Sequence, residues 1–494
     1  MRHLTRRRAR IALVAAACTA VILTAGTAVA AGTAGLTAPA PDAPATDGDR
    51  TASVREAIVD GPATNVILLV GDGMGDSEIT IARNYGYGAA GRLPGIDALP
   101  LTGQYTTFSL HRSGARKGTP DYAPDSAATA TAWATGSKTY DRAISVGLDG
   151  TPLPTVVELA KRNGLRTGVV TTARVTDATP AVQVAHVASR TCQGPDSSGC
   201  GADALTRGGR GSIAEQLLAT RPDLVLGGGR IVFRHTANAG RWKGESLVTQ
   251  ARARGFRLVT DAAGLTATTW ANADRPLLGL FTADTFPTRF APSKATVGGA
   301  DRVTTCRANP SRLPDGLTLA ALTSKAISLL DAGAVGGKGF FLQVEGASID
   351  KRDHAADACG QIGETLDFDR AVQAALRFAR THGNTLVLVT ADHAHSSQIV
   401  DVTPAASLST AVKTREGGVM KISYGTAPRG GAQQHTGSQV RIAGFGPGAA
   451  NIVGLTDQTD TFTTIIRTLG VDTALERDPG LGLERDHATS GPRH

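Results

Sequence analysis

Aromatic residues, cysteines and long apolar runs are all scarce in this chain of 494 residues. Phe, Trp and Tyr make up only 4% of it, which leaves few rings to stack on the bases of a nucleic acid. The cysteines never occur in the C-x-x-C spacing of cysteine-bound metals. Beyond residue 30, no segment reaches the ~18 uninterrupted apolar residues that a membrane span requires. These absences argue against a nucleic-acid reader, a membrane span and a cysteine-bound metal.

The basic charge of the chain is concentrated at its start. The formal net charge is +8, but residues 1–30 contain five arginines and no acidic residue. The remainder carries 46 basic and 43 acidic residues, a net charge of +3. So small a surplus gives little reason to expect a polyanionic partner. We interpret the arginines at the start as part of a targeting signal.

Residues 1–30 have the pattern of a secretory signal peptide. A cationic head precedes an apolar run from Ile11, and residues 28–30 read A-V-A, a typical cleavage site. A membrane anchor, lipidation at Cys18 and a twin-arginine export signal fit this pattern less well. We therefore expect a secreted, extracellular protein, which would be periplasmic in a cell with an outer membrane.

One catalytic domain is predicted over residues 51–475. Residues 31–50 are rich in Ala, Pro and Thr and are expected to form a disordered leader, and residues 476–494 a flexible tail. Between them, apolar runs such as NVILLV (65–70) and NTLVLVT (384–390) alternate with amphipathic helical patterns. This alternation predicts an α/β fold with a large, mostly parallel central β-sheet and helices on both faces.

Residues that can bind metals follow several of the predicted strands. In such sheets, ligands bind beyond the carboxyl ends of the strands, so these residues are candidates for a site. They are Asp72 after NVILLV, Glu345, Asp350 and His354 after FFLQV, Asp177 and Thr179 beyond TGVVTT, and Asp392, His393 and His395 after NTLVLVT.

Each candidate has an ordinary structural alternative. Asp72 alone could cap the next helix, and His435 in QQHTGSQ could be a plain loop residue. Asp350 and His354 could form an exposed pair at i,i+4 spacing. However, consecutive carboxylate and imidazole groups after an apolar strand are costly to bury unless they are paired. Clusters at four strand ends of one sheet therefore favour a common metal site.

The types of ligand predict three metal positions. Imidazoles with carboxylates suit zinc, whereas a set with oxygen atoms alone suits magnesium. Two neighbouring metals stabilise the attacking and leaving oxygens of phosphoryl transfer. The predicted zinc sets are Asp350, His354 and His435, and Asp72, Asp392 and His393; the predicted magnesium set is Asp177, Thr179 and Glu345.

The stretch APDSAATATAWATG (123–136) contains a candidate nucleophile, Ser126. Pro124 and Asp125 end the preceding loop, and the Ala/Thr run is compatible with a helix. A serine at a helix start lies where backbone N–H groups and the helix dipole favour an anion. A metal ion could activate its hydroxyl without a histidine base. The alternative is a serine that only caps the helix.

Four cysteines follow the predicted signal peptide, an even number that indicates two disulfides in an exported protein. Three pairings can be formed from four cysteines. We favour Cys192–Cys200, which closes a short surface loop, and Cys306–Cys359, which closes a long one.

These motifs together closely resemble the bacterial alkaline phosphatases. The resemblance spans roughly residues 60–470 and rests on motifs in the same order, which are VILLVGDGMGDSEIT, LPLTGQY, PDSAATATAW, DATPA, AHVASR, LGGG, FFLQVEGASIDKRDHAA, CGQIGET, TLVLVTADHAH, HTGSQ and GLTDQTD. It departs from the family in the leader, residues 113–123, residues 425–434 and the tail. The favoured cysteine pairings also match the family.

The resemblance implies hydrolysis of small phosphate monoesters, with inorganic phosphate as a product. It implies two Zn2+ and one Mg2+ per subunit in the ligand sets above, with Asp72 also bridging to the magnesium. A homodimer is implied too, because the N-terminal arm can cross to the partner subunit in this family. The remaining roles it implies are the phosphoserine nucleophile (Ser126), the phosphate clamp (Arg190), a residue that orients Arg190 (Asp125), a contact to phosphate through water (Lys351) and support of Asp350 (His395).

Two other functions fit parts of the sequence. A phosphodiesterase of the same superfamily would use a similar two-zinc site, although Arg190 and the magnesium set favour monoesters. A non-catalytic, secreted phosphate-binding metalloprotein would leave Ser126 without a role. A sulfatase is excluded because the chain contains no C/S-x-P-x-R motif.

Overall fold

The structure is a computed structural model that describes residues 48–332, 338–428 and 430–474. The predicted signal peptide, Cys18, most of the predicted leader and the predicted tail lie outside these residues. Among the helices that the structure describes, none has both the length and the apolar character needed to cross a bilayer.

The described chain alternates between strands and helices, as the apolar pattern predicts. The α-helices are α1 (Thr51–Glu56), α2 (Asp76–Gly86), α3 (Ser126–Thr135), α4 (Val156–Arg162), α5 (Ala178–Ala181), α6 (Ile213–Thr220), α7 (Leu247–Ala253), α8 (Ala262–Thr266), α9 (Leu319–Ala332), α10 (Ser348–His354), α11 (Ala358–His382) and α12 (Gln458–Thr468). The strands are β1 (Asn65–Gly71), β2 (Leu101–Thr106), β3 (Ser109–Leu110), β4 (Pro120–Asp121), β5 (Arg166–Arg174), β6 (Leu224–Gly228), β7 (Arg257–Val259), β8 (Leu277–Leu280), β9 (Thr296–Val297), β10 (Val303–Thr304), β11 (Phe340–Gly346), β12 (Thr385–Ala391), β13 (Ser397–Ile399), β14 (Leu408–Lys413), β15 (Val419–Tyr424), β16 (Val440–Phe445) and β17 (Gly454–Asp457).

A ten-stranded sheet forms the centre of the fold, in the order β17-β2-β16-β12-β1-β11-β5-β6-β8-β7. The run from β12 to β7 is parallel, and β16 is antiparallel to both of its neighbours. The predicted large, mostly parallel sheet is thus confirmed. Every residue of β1, β11 and β12 is buried, so both faces of the sheet are covered there.

Two groups of helices pack against this sheet. Helices α2, α9 and α10 each contact α11, and α9 and α11 also contact the central strands. Helices α3, α4, α5 and α12 form the second group, in which α4 and α5 contact β5 and β11. The α/β architecture predicted from the sequence is therefore observed.

The central strands end in the same row. Gly71, the last residue of β1, pairs with Gly346 of β11 and with Ala391 of β12. The loops after the three strands therefore start side by side. This register brings Asp72, Asp350 and Asp392 together, although they are far apart along the chain.

A second, five-stranded sheet was not predicted from the sequence. It has the order β10-β14-β15-β13, with β9 also paired to β14. These strands are short, and their burial is mixed rather than continuous. Short strands with partly exposed faces lack the apolar run that marks the strands of the main sheet.

Both favoured disulfides are present, Cys192–Cys200 and Cys306–Cys359. The first loop has exposed residues, such as Asp196 and Ser198, as expected for a surface loop. The disulfide itself is buried beneath it, since Cys192 and Cys200 are 0% and 4% exposed. The second joins the segment after β10 to helix α11, and so ties the smaller sheet to the main domain.

Candidate active site

The turn after β1 depends on a glycine. Gly73 has a φ of +68°, a conformation that residues with a side chain rarely adopt. A Cβ atom there would lie 3.0 Å from the backbone of Asp350. The N–H of Gly73 donates to Asp392 Oδ1 at 2.8 Å. The glycine therefore allows the loops after β1, β11 and β12 to approach one another closely.

Asp72, Asp392 and His393 form one compact cluster, and all three are buried. His393 Nε2 lies 3.1 Å from Asp392 Oδ2 and 3.6 Å from Asp72 Oδ1. Ser126 borders this cluster, because its hydroxyl lies 3.3 Å from His393 Nε2 and 3.5 Å from Asp72 Oδ1. The structure thus brings the candidate nucleophile to the second predicted zinc set.

Asp350 lies at the centre of a second cluster with three histidines, His354, His395 and His435. Their Nε2 atoms are 3.3, 3.2 and 3.2 Å from Asp350 Oδ1. The rings of His393 and His435 stack with centroids 3.5 Å apart, so the two clusters adjoin. The first predicted zinc set is therefore assembled, with His395 beside it.

Hydrogen bonds at Nδ1 distinguish the histidines of this second cluster. Nδ1 of His435 faces the carbonyl of Pro124 at 2.8 Å, and Nδ1 of His354 faces the carbonyl of Gln433. Each of these nitrogens must therefore carry a proton, and in the neutral ring Nε2 then has a lone pair. His395 has the opposite tautomer, because its Nδ1 accepts from the N–H of Ser396 at 2.8 Å.

The donor chemistry of the two clusters fits cations. His354 Nε2 and His435 Nε2 lie 3.1 Å apart, and both present lone pairs next to a carboxylate. Lone pairs at such distances repel one another unless a positive ion lies between them. Histidines that bind metals typically donate the other ring N–H to a carbonyl, as His354 and His435 do. His395 Nε2 instead lies 3.2 Å from Asp350 Oδ1, which suits a supporting role.

Two residues of the predicted magnesium set, Glu345 and Asp177, already have hydrogen-bond or ion-pair partners in the protein. Thr171 donates its hydroxyl to Glu345, and the buried hydroxyl of Thr179 has no hydrogen-bond partner among the described residues. Asp177 is already paired, since Lys351 Nζ and Arg190 lie within 3.0 Å of its two oxygens. Thr179 and Glu345 thus have the free oxygen capacity that a magnesium ion requires, and Asp177 lies next to them.

Arg190 and Lys351 form the cationic side of the site. Arg190 spans Asp125 Oδ2 at 3.2 Å and Asp177 Oδ1 at 3.0 Å. Burial lowers the pKa of Arg190, but the two carboxylates have the larger effect, so the net shift of the pKa is upward. The pKa of Lys351 is likewise raised, since Asp177 and its acidic neighbours outweigh the effect of burial. Both groups therefore remain cationic.

Burial and neighbouring charges also shift the pKa values of the acidic groups in the site. Burial, together with Asp392 and Asp350, raises the pKa of Asp72 well above its usual value. Burial also raises the pKa of Glu345 to about 7. For Asp350 the effect of burial is outweighed by the close imidazoles of His395 and His435, and its pKa falls. So many carboxylates are ionised together only when cations compensate their charge.

Ser126 is the first residue of α3, and Asp125 rather than Ser126 caps this helix. Asp125 Oδ1 accepts from the N–H of Ala128 at 3.1 Å. The serine hydroxyl is therefore not used as a cap. Trp133, on the same helix, donates to Gln343 of β11 at 3.1 Å, which fixes α3 to the central sheet.

Some residues that hold the site were not predicted. The carbonyls of Pro124 and Gln433 set the tautomers of His435 and His354, and a backbone group has no sequence signature. Gln343 also donates to the carbonyl of Thr179 at 2.6 Å. The only sequence feature that indicates these buried hydrogen bonds is the polar Gln343 within the apolar run FFLQV.

A sequence model of alkaline phosphatases matches residues 63–433. The chain belongs to the alkaline phosphatase family. It is 56% identical over 429 residues to the alkaline phosphatase of Escherichia coli (strain K12), which covers 86% of this chain and 90% of that protein. It is 49% identical to streptomycin-6-phosphate phosphatase of Streptomyces griseus, over 83% of this chain and 91% of that protein.

Solved structures of alkaline phosphatases have the same fold. The alkaline phosphatase of the Antarctic bacterium TAB5 superposes with a TM-score of 0.61 at 25% identity, covering 83% of this chain and 99% of that one. The chain is thus an enzyme of the alkaline phosphatase family, and this membership supports hydrolysis of phosphate monoesters and implies metal cofactors.

Proposed function

We propose that the protein is a secreted, non-specific phosphomonoesterase that works through a covalent phosphoserine on Ser126. The observation that carries this proposal is the position of the Ser126 hydroxyl. It lies at the start of α3, 3.3 Å from His393 Nε2 and 3.5 Å from Asp72 Oδ1. The side chain is 2% exposed, so a nucleophile there is largely protected from bulk water.

The proposed metal ligands fall into the sets described above. When bound, two Zn2+ and one Mg2+ would supply Lewis acidity and positive charge for phosphoryl transfer. The first zinc would be held by Asp350, His354 and His435, the second by Asp72, Asp392 and His393, and the magnesium by Thr179 and Glu345 with Asp177 beside them. His395 would support Asp350 from outside the set.

The protein groups then have distinct tasks in the proposed reaction. The hydroxyl of Ser126 donates towards Asp72, so its proton points to a carboxylate while a lone pair stays available for phosphorus. The serine oxygen loses its proton and forms a bond to phosphorus, while the bond from phosphorus to the leaving oxygen breaks. The leaving oxygen takes up a proton and departs as an alcohol. A water molecule then attacks the phosphoserine, which releases inorganic phosphate and restores the hydroxyl.

Arg190 would hold the phosphoryl group during both steps. Its guanidinium is fixed by Asp125 and Asp177, and a planar guanidinium can donate two parallel hydrogen bonds to phosphate oxygens. Lys351, which is paired with Asp177 at 3.0 Å, would reach phosphate through a water molecule. These cations favour the dianionic group of a monoester over the monoanionic group of a diester.

Replacement of Ser126 by alanine tests the nucleophile. We expect phosphate release to fall by about three orders of magnitude or more, because the attacking oxygen is lost. Zinc content should be unchanged, since the proposed ligands remain. Steady-state kinetics with a phenyl phosphate and metal quantification per subunit measure the two quantities.

A matched control is Ser324→Ala, which removes an exposed serine hydroxyl from α9 and should leave the rate unchanged. Near-normal turnover by Ser126→Ala would overturn the nucleophile assignment. Turnover of a diester at a rate equal to that of a monoester, on one preparation, would favour the phosphodiesterase alternative. Phosphate binding without release would favour a non-catalytic metalloprotein.

Secretion and dimerisation are parts of the same proposal. Two disulfides support secretion, because such bonds persist mainly outside the cytosol. A homodimer is proposed from the family resemblance alone. Sizing of the purified protein, together with the N-terminal sequence of the form found outside the cell, tests both points.

A further inference from the structure

Arg142 has an unusual backbone conformation next to the candidate site. Its φ is +75°, in the left-handed region that glycine occupies without steric cost and side chains with a Cβ rarely adopt. It lies in the loop after α3, the helix that begins at Ser126. Such outliers persist where the surroundings fix them, and they are frequent at functional sites.

Two hydrogen bonds fix the backbone of Arg142 to the phosphate-handling residues. Its N–H donates to Asp125 Oδ1 at 2.9 Å. Its carbonyl accepts from the N–H of Arg190 at 2.7 Å. Arg142 is therefore joined directly to the residue before the nucleophile and to the proposed phosphate clamp. A glycine would make the same two bonds, so the bonds do not explain an arginine side chain.

The side chain of Arg142 is exposed and its charge is not compensated locally. Within the part of the chain that the structure describes, no carboxylate lies within ion-pair distance of its guanidinium. The nearby acids are already engaged: Asp125 by Arg190 and by α3, and Asp141 by the N–H of Asp125 at 3.2 Å. The guanidinium is thus exposed to solvent, on a residue whose backbone bonds directly to Asp125 and Arg190.

We propose that Arg142 is a specificity residue that favours phosphate monoesters whose leaving group carries a further anionic group, such as a carboxylate or a second phosphate. This inference rests on the proposed function and adds a substrate class to it. A leaving group with a cationic substituent should be disfavoured by the same charge. The arginine would act on binding and on the encounter with substrate, not on the chemical step itself.

Three aryl phosphates with the same ring test this inference, with a para carboxylate, a neutral para carboxamide and a para trimethylammonium group. For each enzyme the measured quantity is the ratio of kcat/KM for a charged substrate to kcat/KM for the neutral one. In Arg142→Gly and Arg142→Asn, we expect the carboxylate ratio to fall about three-fold and the ammonium ratio to rise, as for a solvent-exposed ion pair. Both substitutes tolerate the left-handed backbone.

Two variants serve as controls. Arg142→Lys keeps the charge and should retain most of the carboxylate preference. Arg252→Ala removes an exposed charge from α7, away from the site, and should leave both ratios unchanged. High salt should reduce the difference between wild type and Arg142→Gly, because exposed charges are screened.

Unchanged ratios in both Arg142→Gly and Arg142→Asn would overturn the inference. Ratios that change equally for carboxylate and ammonium would also overturn it, because a displaced loop affects both substrates alike. Failure of the proposed function itself gives a different result, since the wild-type enzyme would then hydrolyse none of the three monoesters.

Discussion

At the scale of single residues, the site depends on how each polar side chain is held. Arg190 forms ion pairs with Asp125 and Asp177, and Asp177 also forms an ion pair with Lys351. The guanidinium therefore keeps its orientation before a substrate arrives. A group that is already in place loses little conformational freedom on binding, which strengthens its contribution to affinity.

This arrangement predicts that Arg190→Lys weakens phosphate binding although the charge is kept. A lysine cannot span both carboxylates or donate a parallel pair of hydrogen bonds to phosphate. The loss of one charge-assisted hydrogen bond should raise the inhibition constant for inorganic phosphate about ten-fold. Inhibition kinetics of the purified enzyme measure this constant.

Arg83→Lys is the matched control, because Arg83 makes a similar two-point pair with Asp97 at 2.7 and 2.8 Å, outside the site. It should leave the phosphate constant unchanged. An unaltered constant in Arg190→Lys would remove Arg190 from the role of phosphate clamp.

Much of the candidate site could be predicted from residue types alone. Carboxylates and imidazoles after apolar strands are visible in the sequence, and the register of β1, β11 and β12 brings them together. The supports could not be predicted in the same way. The carbonyls of Pro124 and Gln433 orient two imidazoles, but every residue has a carbonyl. The left-handed backbone of Arg142 gives no signal either, because the residue is not glycine.

At the scale of elements, the long helix α11 illustrates the cost of buried charge. It packs against α9 and the central sheet, and most of its buried face is apolar. Glu364 is an exception, with 7% exposure and a hydrogen bond from the N–H of Arg289 at 2.8 Å. Burial and the nearby Asp367 raise its pKa to about 8. The folded protein therefore favours the protonated form of this side chain.

This shift predicts how Glu364→Gln changes the pH dependence of stability. A carboxyl group whose pKa is raised by folding contributes stability that is complete below its unfolded pKa. That contribution is lost as the pH rises through the folded pKa, here from about 4.5 to about 8. Glutamine does not ionise. The free energy of unfolding of the variant, minus that of wild type, should therefore increase by roughly 1–3 kcal/mol as the pH rises from 5 to 9.

Denaturant unfolding at several pH values measures this difference. The control is Glu56→Gln, which removes an exposed carboxylate from α1. Its difference from wild type in the free energy of unfolding should not change with pH. If the difference for Glu364→Gln is also independent of pH, the carboxylate of Glu364 ionises normally in the folded protein.

The elements also show where a sequence is informative about fold. The central strands β1, β11 and β12 are mostly apolar runs because both faces of the sheet are covered there, and the sequence predicts them. The smaller sheet contains short strands with mixed burial, and its pairings join segments as distant as β9 and β14. Pairings of that kind are decided by tertiary contacts rather than by local sequence.

At the scale of the whole molecule, the fold gathers negative charge at one edge of its central sheet. Four buried carboxylates and one half-buried carboxylate converge there, with Lys351 and Arg190 as the cations beside them. The buried ones belong to Asp72, Glu345, Asp350 and Asp392, and the half-buried one to Asp177. Without further cations, such a site opposes folding through repulsion and desolvation. Bound metals should therefore stabilise the folded chain as well as support the reaction.

Removal of metal should accordingly lower the melting temperature. A ligand present at about a thousand times its Kd stabilises a protein by about 4 kcal/mol, which for a domain of this size corresponds to a shift of about 5 °C. Calorimetry before and after treatment with a chelator measures this shift. Zinc should restore most of it, and magnesium alone only a small part, because the imidazoles of His354, His393 and His435 prefer zinc.

The variant His435→Ala separates specific binding from a general effect of the chelator. It lacks one proposed metal ligand of the cluster around Asp350, so its melting temperature in zinc should lie between those of loaded and stripped wild type. After chelation the variant should converge on the wild-type value, since both then contain the same uncompensated carboxylates. Equal melting temperatures for loaded and stripped wild type would mean that the carboxylates are neutralised by protons instead, and that the fold does not depend on metal.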